Sequence, residues 1–469
     1  MRVFFKTFGC RSNLFDTQVM MANLKGYEIV SDENLADIIV VNSCTVTNGA
    51  DSGVQGYINR FRDSHKKIYF TGCGAGSKGK ENYDKNLAFG VFPHSLKEDI
   101  SALLQKNQRF FYAEEQPLHI DSTIVSEFVG KTRAFIKIQE GCDFACSYCI
   151  IPSVRGGARS FPKAKIIEQV ERLLDSGVSE IILTGTNVGS YGKDLEGESI
   201  ASLIESLFML KGLKRLRVGS LEPSQISEEF LNLTQESLFE KHLHIALQHT
   251  HDTMLEIMNR QNRVEQDLEL FMRLHKQGFF LGTDFIVAHP GESEEIWEQA
   301  LENFKRFPIT HLHPFIYSPR TGTPSASMKN TTKGDVAKQR LHTLKNIVQE
   351  NNYQMRRHCT KPLNVLIESI ATSNAIESKQ SLDSKKGGVW ARSGASGDSL
   401  SASDNKSKAL AIKTIESKQS LDSDISHLYH GLDEFFNKIT IESSKPLQNG
   451  QWLEIAQYQR NKEGNYAKI

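Results

Sequence analysis

Gly141-Cys-Asp-Phe-Ala-Cys-Ser-Tyr-Cys-Ile150 carries three thiols at Cys-x3-Cys-x2-Cys spacing, with aromatic Tyr148 directly before the last. Three thiolates on one short loop can ligate three irons of a [4Fe–4S] cluster and leave the fourth iron without a protein ligand. An open iron is what chemistry at a cluster needs, because S-adenosylmethionine can chelate it through its amino and carboxylate groups. A structural zinc knuckle is the competing reading, but zinc would want a fourth Cys or His nearby, and none follows at ribbon or finger spacing. The loop follows an apolar run at 134–139 that reads as a strand. It therefore falls at a strand's carboxyl end, where barrel folds place their active sites.

Outward from this loop the chain alternates between two patterns. Strand-like runs at 134–139, 180–184, 213–220, 242–248, 280–287 and 311–317 are separated by helical patterns at 163–176, 199–210, 227–234, 264–277 and 293–307. Six such units predict a parallel barrel that six strands leave incompletely closed. Before it, strand-like runs at 2–7, 38–42 and 68–71 with helical stretches at 16–24 and 52–63 predict a separate parallel α/β domain. After it come a long charged helix over 333–357 and strand signals at 363–368, 435–441 and 452–458. Residues 370–426 are rich in Ser, Lys, Asp, Gly and Ala, and repeat Ile-Glu-Ser-Lys-Gln-Ser-Leu-Asp-Ser at 376–384 and 415–423. That composition cannot bury a core and reads as an insertion into a small β domain.

The chain has 469 residues, 39% of them hydrophobic, and balances 56 Lys and Arg against 56 Asp and Glu. Length predicts several domains, and zero net charge means that any nucleic-acid footprint must be local. The N-terminal apolar run is too short for a signal sequence, and no stretch approaches the ~18 apolar residues of a membrane span. A cytoplasmic chain with reduced thiols is expected, in which seven cysteines point to metal or catalysis before disulfides.

Cys10, Cys44 and Cys73 are far apart in sequence, yet each closely follows an apolar strand-like run. In a parallel sheet successive carboxyl ends lie side by side, so these thiols can converge as a second cluster site with one open iron. Three scattered small apolar residues are the plain alternative. Cys359 has no partner in sequence and is assigned no role.

With six cysteines located, the chain resembles the radical-SAM methylthiotransferases over nearly its whole length outside 370–426, and within them the bacterial enzymes acting on N6-threonylcarbamoyladenosine in tRNA. The resemblance rests on Phe5-Lys-Thr-Phe-Gly-Cys10, Val41-Asn-Ser-Cys-Thr-Val-Thr-Asn48, Thr71-Gly-Cys73, Lys137-Ile-Gln-Glu-Gly-Cys142 and Cys149-Ile-Ile-Pro152. Leu183-Thr-Gly-Thr-Asn187, Ser220-Leu-Glu-Pro223 and Tyr317-Ser-Pro-Arg320 extend it. It implies an α/β architecture of three parts: an auxiliary-cluster domain over 1–125, a radical-SAM partial (β/α)6 barrel over 128–358, and a TRAM-like RNA-binding β-barrel over 359–469 interrupted by the insertion.

The resemblance also implies two [4Fe–4S] clusters and S-adenosylmethionine. One S-adenosylmethionine would methylate a sulfur associated with a cluster on Cys10, Cys44 and Cys73. Another would be cleaved at the cluster on Cys142, Cys146 and Cys149, and the resulting radical would activate C2 of the modified adenine. By position, Tyr148 and Ile150 should pack near the adenosyl group and Gly185, Thr186 and Asn187 near the methionine end. Ser220, Glu222, Gln248 and Arg260 are further pocket candidates, each with a competing role in holding its loop. The partners implied are a tRNA anticodon stem-loop and an electron donor of unspecified identity.

Departures from the family pattern fall at Gly74-Ala-Gly76, at His249 and His251, at Ala288-His-Pro-Gly-Glu292 and at Phe161. The two histidines are expected to be surface or RNA-facing groups. Arg155, Arg159, Arg356, Arg357 and Lys361 are local cations that could meet phosphate, although a solvated helix face serves equally for Arg356 and Arg357. Isopentenyladenosine tRNA or a ribosomal-protein aspartate are alternative substrates for the same chemistry. A non-catalytic RNA-binding protein holding zinc is the alternative of another class.

Overall fold

A computed structural model describes residues 1–112, 120–125, 132–329, 332–370 and 427–469. The expected insertion lies outside the described residues from position 371 onward. Six strands form an N-terminal parallel sheet in the order Glu28–Ile29, Arg2–Thr7, Ile38–Ser43, Lys67–Gly72, Gly90–Val91 and Phe110–Phe111. Its centre, Ile38–Ser43, is buried on both faces, which explains an uninterrupted apolar run rather than an alternating one. Helices Arg11–Asn23, Asn48–Asn59 and Ala75–Asp84 follow the three long strands.

The central unit has six parallel strands in chain order: Ala134–Glu140, Glu180–Gly185, Arg215–Val218, His242–His244, Phe280–Val287 and Ile309–Ile316. Ladders join the first three and the last three. Parallel bridges Leu216–Phe239 and Leu221–Ile245 connect the two sets. Alternation sets the two faces apart. Ile136, Leu183, Leu216, Leu243, Leu281 and Phe285 pack into one large core with helix residues such as Val170, Leu203, Phe271 and Phe304. Their neighbours Arg217, Glu240, His242, His244, Asp284 and His313 therefore line the opposite, luminal face.

Helix Gly334–His358 leads to a six-stranded C-terminal sheet ordered Trp452–Ile455, Leu363–Ile370, His427–Leu432, Lys438–Ser443, Gly464–Lys468 and Gln459–Asn461. The turn between two of these strands enters the amino end of the barrel. There Phe436, at φ 67°, stacks on His242 with ring centroids 4.9 Å apart, and Phe435 packs on Phe280 at 4.7 Å. Among the described residues no helix is long and apolar enough to cross a membrane.

Candidate functional site: two thiol triads at one barrel mouth

The loop bearing Cys142, Cys146 and Cys149 leaves the carboxyl end of strand Ala134–Glu140. Its backbone is fixed at several points. Cys142 N–H donates to the Gly156 carbonyl at 3.0 Å, Ser147 N–H to Met258 at 3.0 Å, and Asn259 Nδ2 to the Ala145 carbonyl at 2.8 Å. Gly141 has φ +77°, and a β-carbon there would stand 1.9 Å from the Gly157 carbonyl oxygen, so only glycine fits. Asn187 Nδ2 lies 3.8 Å from Cys142 Sγ and Arg260 Nη1 3.9 Å from Cys146 Sγ.

The other candidates gather around this loop to different degrees. Gly141 N–H donates to Thr186 Oγ1 at 3.2 Å, and Asn187 N–H to Gln139 Oε1 at 2.8 Å. A β-carbon on Gly185 would come within 2.9 Å of the Gln139 carbonyl. Arg260 pairs with Glu222 at 2.6 Å, while burial pushes the Glu222 carboxyl up. Tyr148 lies edge-on to His289 with centroids 6.3 Å apart, against an apolar group of Met254, Met258, Ile286 and Tyr317. Ile150 caps the short helix Ile151–Arg155. Gln248, at φ 67°, takes part in the barrel through its backbone, its N–H donating to the Asp284 carbonyl at 3.0 Å. Ser220 is exposed beyond strand Arg215–Val218.

Strand order brings the other three cysteines to one edge of the N-terminal sheet. Arg2–Thr7, Ile38–Ser43 and Lys67–Gly72 are adjacent, and Cys10, Cys44 and Cys73 stand just past their carboxyl ends. Cys10 Sγ and Cys73 Sγ approach the same atom, Asn13 Oδ1, at 4.0 and 3.7 Å. Gly9 presses on Cys44, where a β-carbon would stand 2.6 Å from Cys44 Cβ and 2.9 Å from its Sγ. Asn13 Nδ2 holds the loops together by donating to the Phe8 and Ser43 carbonyls at 2.8 and 2.9 Å.

All six are free thiols. Burial pushes Cys44 and Cys149 up to about 12 and raises Cys73 and Cys142, so none of these four would ionise unaided near neutrality. A metal centre deprotonates such sulfurs directly. Two sets of three thiols, each on positions held by backbone and glycine packing, fit iron–sulfur clusters with one iron left for an outside ligand.

A buried charge network separates the triads. Lys137 Nζ bonds Asp16, Asp121 and Glu140 at 2.6, 2.8 and 3.1 Å, and Arg155 bonds Asp16 at 3.0 Å as well as Glu140. Burial pushes the Asp16 and Glu140 carboxyls up, but Lys137, Lys97 and Arg155 together hold both below the usual carboxylate range. Arg320 ties the segment after Cys44 to the barrel through Asn48 Oδ1 at 2.8 Å, Thr45 Oγ1 at 3.0 Å and Asp51.

The structure corrects several expectations about cations and histidines. Arg155 is 1% exposed and Arg356 3%, the latter bonded to Gly464, Asn465 and Asn461, so neither faces phosphate. His249 is buried against Phe285 and Glu292 rather than at the surface, whereas His251 pairs with Gln299 on the outside. Phe161 is a core residue. Sequence reasoning missed Asn13, Asp16 and the luminal group His244, Asp284 and His313. In that group Asp284 lies 3.1 Å from His244 Nε2 and 3.3 Å from His313 Nδ1. The period-two polar pattern of the three strands was the available signal.

Residues 136–304 match the Radical SAM superfamily, and residues 2–91 match a group described as Uncharacterized protein family UPF0004. A Helicobacter pylori J99 protein, provisionally named a methylthiotransferase, is 48% identical over 99% of each chain. The Aquifex aeolicus threonylcarbamoyladenosine tRNA methylthiotransferase MtaB is 32% identical, over 81% of this chain and 97% of that protein. The Pseudothermotoga lettingae tRNA-2-methylthio-N(6)-dimethylallyladenosine synthase is 30% identical, over 78% of this chain and 88% of its own. Among solved structures, the radical S-adenosylmethionine methyltransferase TsrM from Kitasatospora setae, with cobalamin and a [4Fe–4S] cluster bound, shares the fold. Its TM-score is 0.52 at 14% identity, over 69% of this chain and 77% of that one. The radical-SAM fold implies a [4Fe–4S] cluster and S-adenosylmethionine, and the reading as a non-catalytic zinc protein falls. The chain belongs to the radical-SAM methylthiotransferases, enzymes of the MtaB and MiaB type.

Proposed function

We propose that this methylthiotransferase acts on tRNA, converting N6-threonylcarbamoyladenosine beside the anticodon to its 2-methylthio derivative. In this reading Cys142, Cys146 and Cys149 hold the S-adenosylmethionine-cleaving cluster, and Cys10, Cys44 and Cys73 hold the auxiliary one. Tyr148, Ile150, Gly185, Thr186, Asn187, Ser220, Glu222, Gln248 and Arg260 surround the cofactor. Residues 1–125, 128–358 and 359–469 act as auxiliary-cluster, radical and RNA-binding domains. The two clusters and S-adenosylmethionine, when bound, supply the radical and sulfur chemistry that no side chain can provide at an aromatic C–H. The chain's own residues position the cofactor, the sulfur and the base together and exclude water.

The observation that favours threonylcarbamoyl over dimethylallyl is the polarity of the lumen. Ile286 packs in the apolar group that includes Tyr148, and Asp284 is the next luminal residue toward the barrel base. Asp284 engages His244 Nε2 and His313 Nδ1, leaving His313 Nε2 for a ligand on a side chain that is 59% exposed. A ureido, hydroxyl or carboxylate group can take such hydrogen bonds. An alkenyl group would leave the imidazoles desolvated and unmatched, which costs ~1–3 kcal/mol per polar group.

The test is anaerobic reconstitution followed by reaction with tRNA carrying either modification and mass spectrometry of the nucleosides. 2-Methylthio product from the threonylcarbamoyl substrate is expected. Product from dimethylallyl tRNA alone would overturn the substrate assignment.

A further inference from the structure

Arg155 reads in sequence as a cation available to RNA, but its side chain is spent elsewhere. It ends helix Ile151–Arg155, directly downstream of Cys149. The carbonyl of the next residue, Gly156, accepts from Cys142 N–H at 3.0 Å, so the main chain here is part of the first triad's scaffold. The guanidinium points to the second triad. Its Nε lies 3.2 Å from Cys73 Sγ, and its Nη2 donates to Asn13 Oδ1 at 2.5 Å and Asp16 Oδ2 at 3.0 Å. Nη1 engages Glu140. Asn13 Oδ1 is also the atom approached by Cys10 and Cys73.

Only a planar fork with donors on three nitrogens can reach one sulfur and three oxygens at once. A lysine at the same place could satisfy the carboxylates but not the sulfur as well. The cation is also held in place, since Asp16 and Glu140 would each lose one of two close cationic partners, keeping Lys137, if it swung away.

We propose that Arg155 is a positioning residue that donates an N–H···S hydrogen bond to the auxiliary-cluster thiolate of Cys73 and thereby fixes that cluster's potential and its place relative to the radical-cluster loop. The inference rests on the auxiliary-cluster reading above. Hydrogen bonds and positive charge at a cluster sulfur stabilise the more negative, reduced state, so their removal lowers the potential.

The test uses the full chain with Cys142, Cys146 and Cys149 all replaced by Ala, so that any remaining cluster is the auxiliary one. Iron and sulfide are counted, and the potential is taken by EPR-monitored titration, for Arg155, R155K and R155M. R155K keeps the buried charge and guards against a folding failure of R155M.

Both variants are expected to shift the reduced-to-oxidised ratio at fixed poise at least tenfold toward oxidised, about 59 mV for a one-electron couple. A purely structural arginine would change melting temperature without moving the potential. A cluster with unchanged potential in R155K overturns the role assigned to Arg155 alone. Absence of any cluster in the Arg155 parent overturns the auxiliary-cluster reading, and the proposal with it.

Discussion

Replacing Gly9 by Ala offers a sharp test of the auxiliary triad, because Gly26 supplies a matched control. Both glycines have positive φ, +96° and +81°, so a methyl group at either strains the backbone by ~1–2 kcal/mol. At Gly26 nothing lies within 4 Å of the added carbon. At Gly9 the added carbon stands 2.6 Å from Cys44 Cβ, roughly 1 Å inside the usual ~3.5–4.0 Å carbon contact. The contact is with a β-carbon, not a flexible tip, so Cys44 or the end of its strand must move. Overpacking of this kind adds ~1–3 kcal/mol, and metal sites tolerate only ~0.2 Å of ligand displacement.

G9A should therefore lose the auxiliary cluster, close to half the bound iron, and fail in methylthio insertion while still forming 5′-deoxyadenosine. G26A should lose a little stability and no iron. Iron and sulfide per chain, chromatography of 5′-deoxyadenosine and mass spectrometry of tRNA nucleosides read all three. Full iron and full insertion in G9A, or equal damage in G26A, would refute the geometry assigned to Cys44.

Substituting Ala for Cys142, Cys146 or Cys149 should abolish 5′-deoxyadenosine formation, and normal formation would remove the radical site from that loop. Substituting Cys10, Cys44 or Cys73 should spare cofactor cleavage and stop insertion; loss of both activities in a folded variant would count against separate roles. A pH effect is expected at Asp267, whose carboxyl burial pushes up from 3.8 to about 7, although Asn262 Nδ2 donates to it at 2.6 Å. Between these values the folded state keeps a proton that the unfolded chain releases, so wild-type stability falls as pH rises and the loss is complete above about 7. D267N escapes this cost. Its stability relative to wild type should rise from pH 4 to 8 by ~1–3 kcal/mol, below the ~4 kcal/mol ceiling of the full shift, and denaturant melts showing a constant difference would disprove the burial effect.

How much could be read beforehand follows from the physics of each signal. Strands of a parallel sheet buried on both faces appear as unbroken apolar runs, so Ile38–Ser43 and Phe280–Val287 are visible in the sequence, and the first carries Cys44 with it. Glu28–Ile29, Gly90–Val91 and Phe110–Phe111 have two residues each, too few to show any period. Helix Asn48–Asn59 was expected four residues late, because Thr47, whose side chain accepts from Ala50 N–H, caps it before the apolar pattern starts. Of the strand expected over 242–248, only His242–His244 forms a continuous ladder; Ile245 and Gln248 make isolated bridges, and the positive φ of 67° at Gln248 breaks the extended run. Arg155 shows the limit most clearly. Sequence gives the sign of a charge but not its depth, and Asp16, the acid that compensates it, is 139 positions away.

Phe436 and the turn around it have a consequence for access. With His242, Phe280 and Arg217 packed beneath that turn, the lower end of the barrel is stoppered, while helix Arg11–Asn23 contributes Phe15 and Val19 to the core beside strand Ala134–Glu140. Of the luminal histidines that face Asp284, His313 is open to solvent, its side chain 59% exposed, while His244 is 11% exposed. A folded polymer cannot be threaded past a stoppered end. On the substrate reading proposed above, a base would enter the lumen only as one protruding unit turned out of its stack.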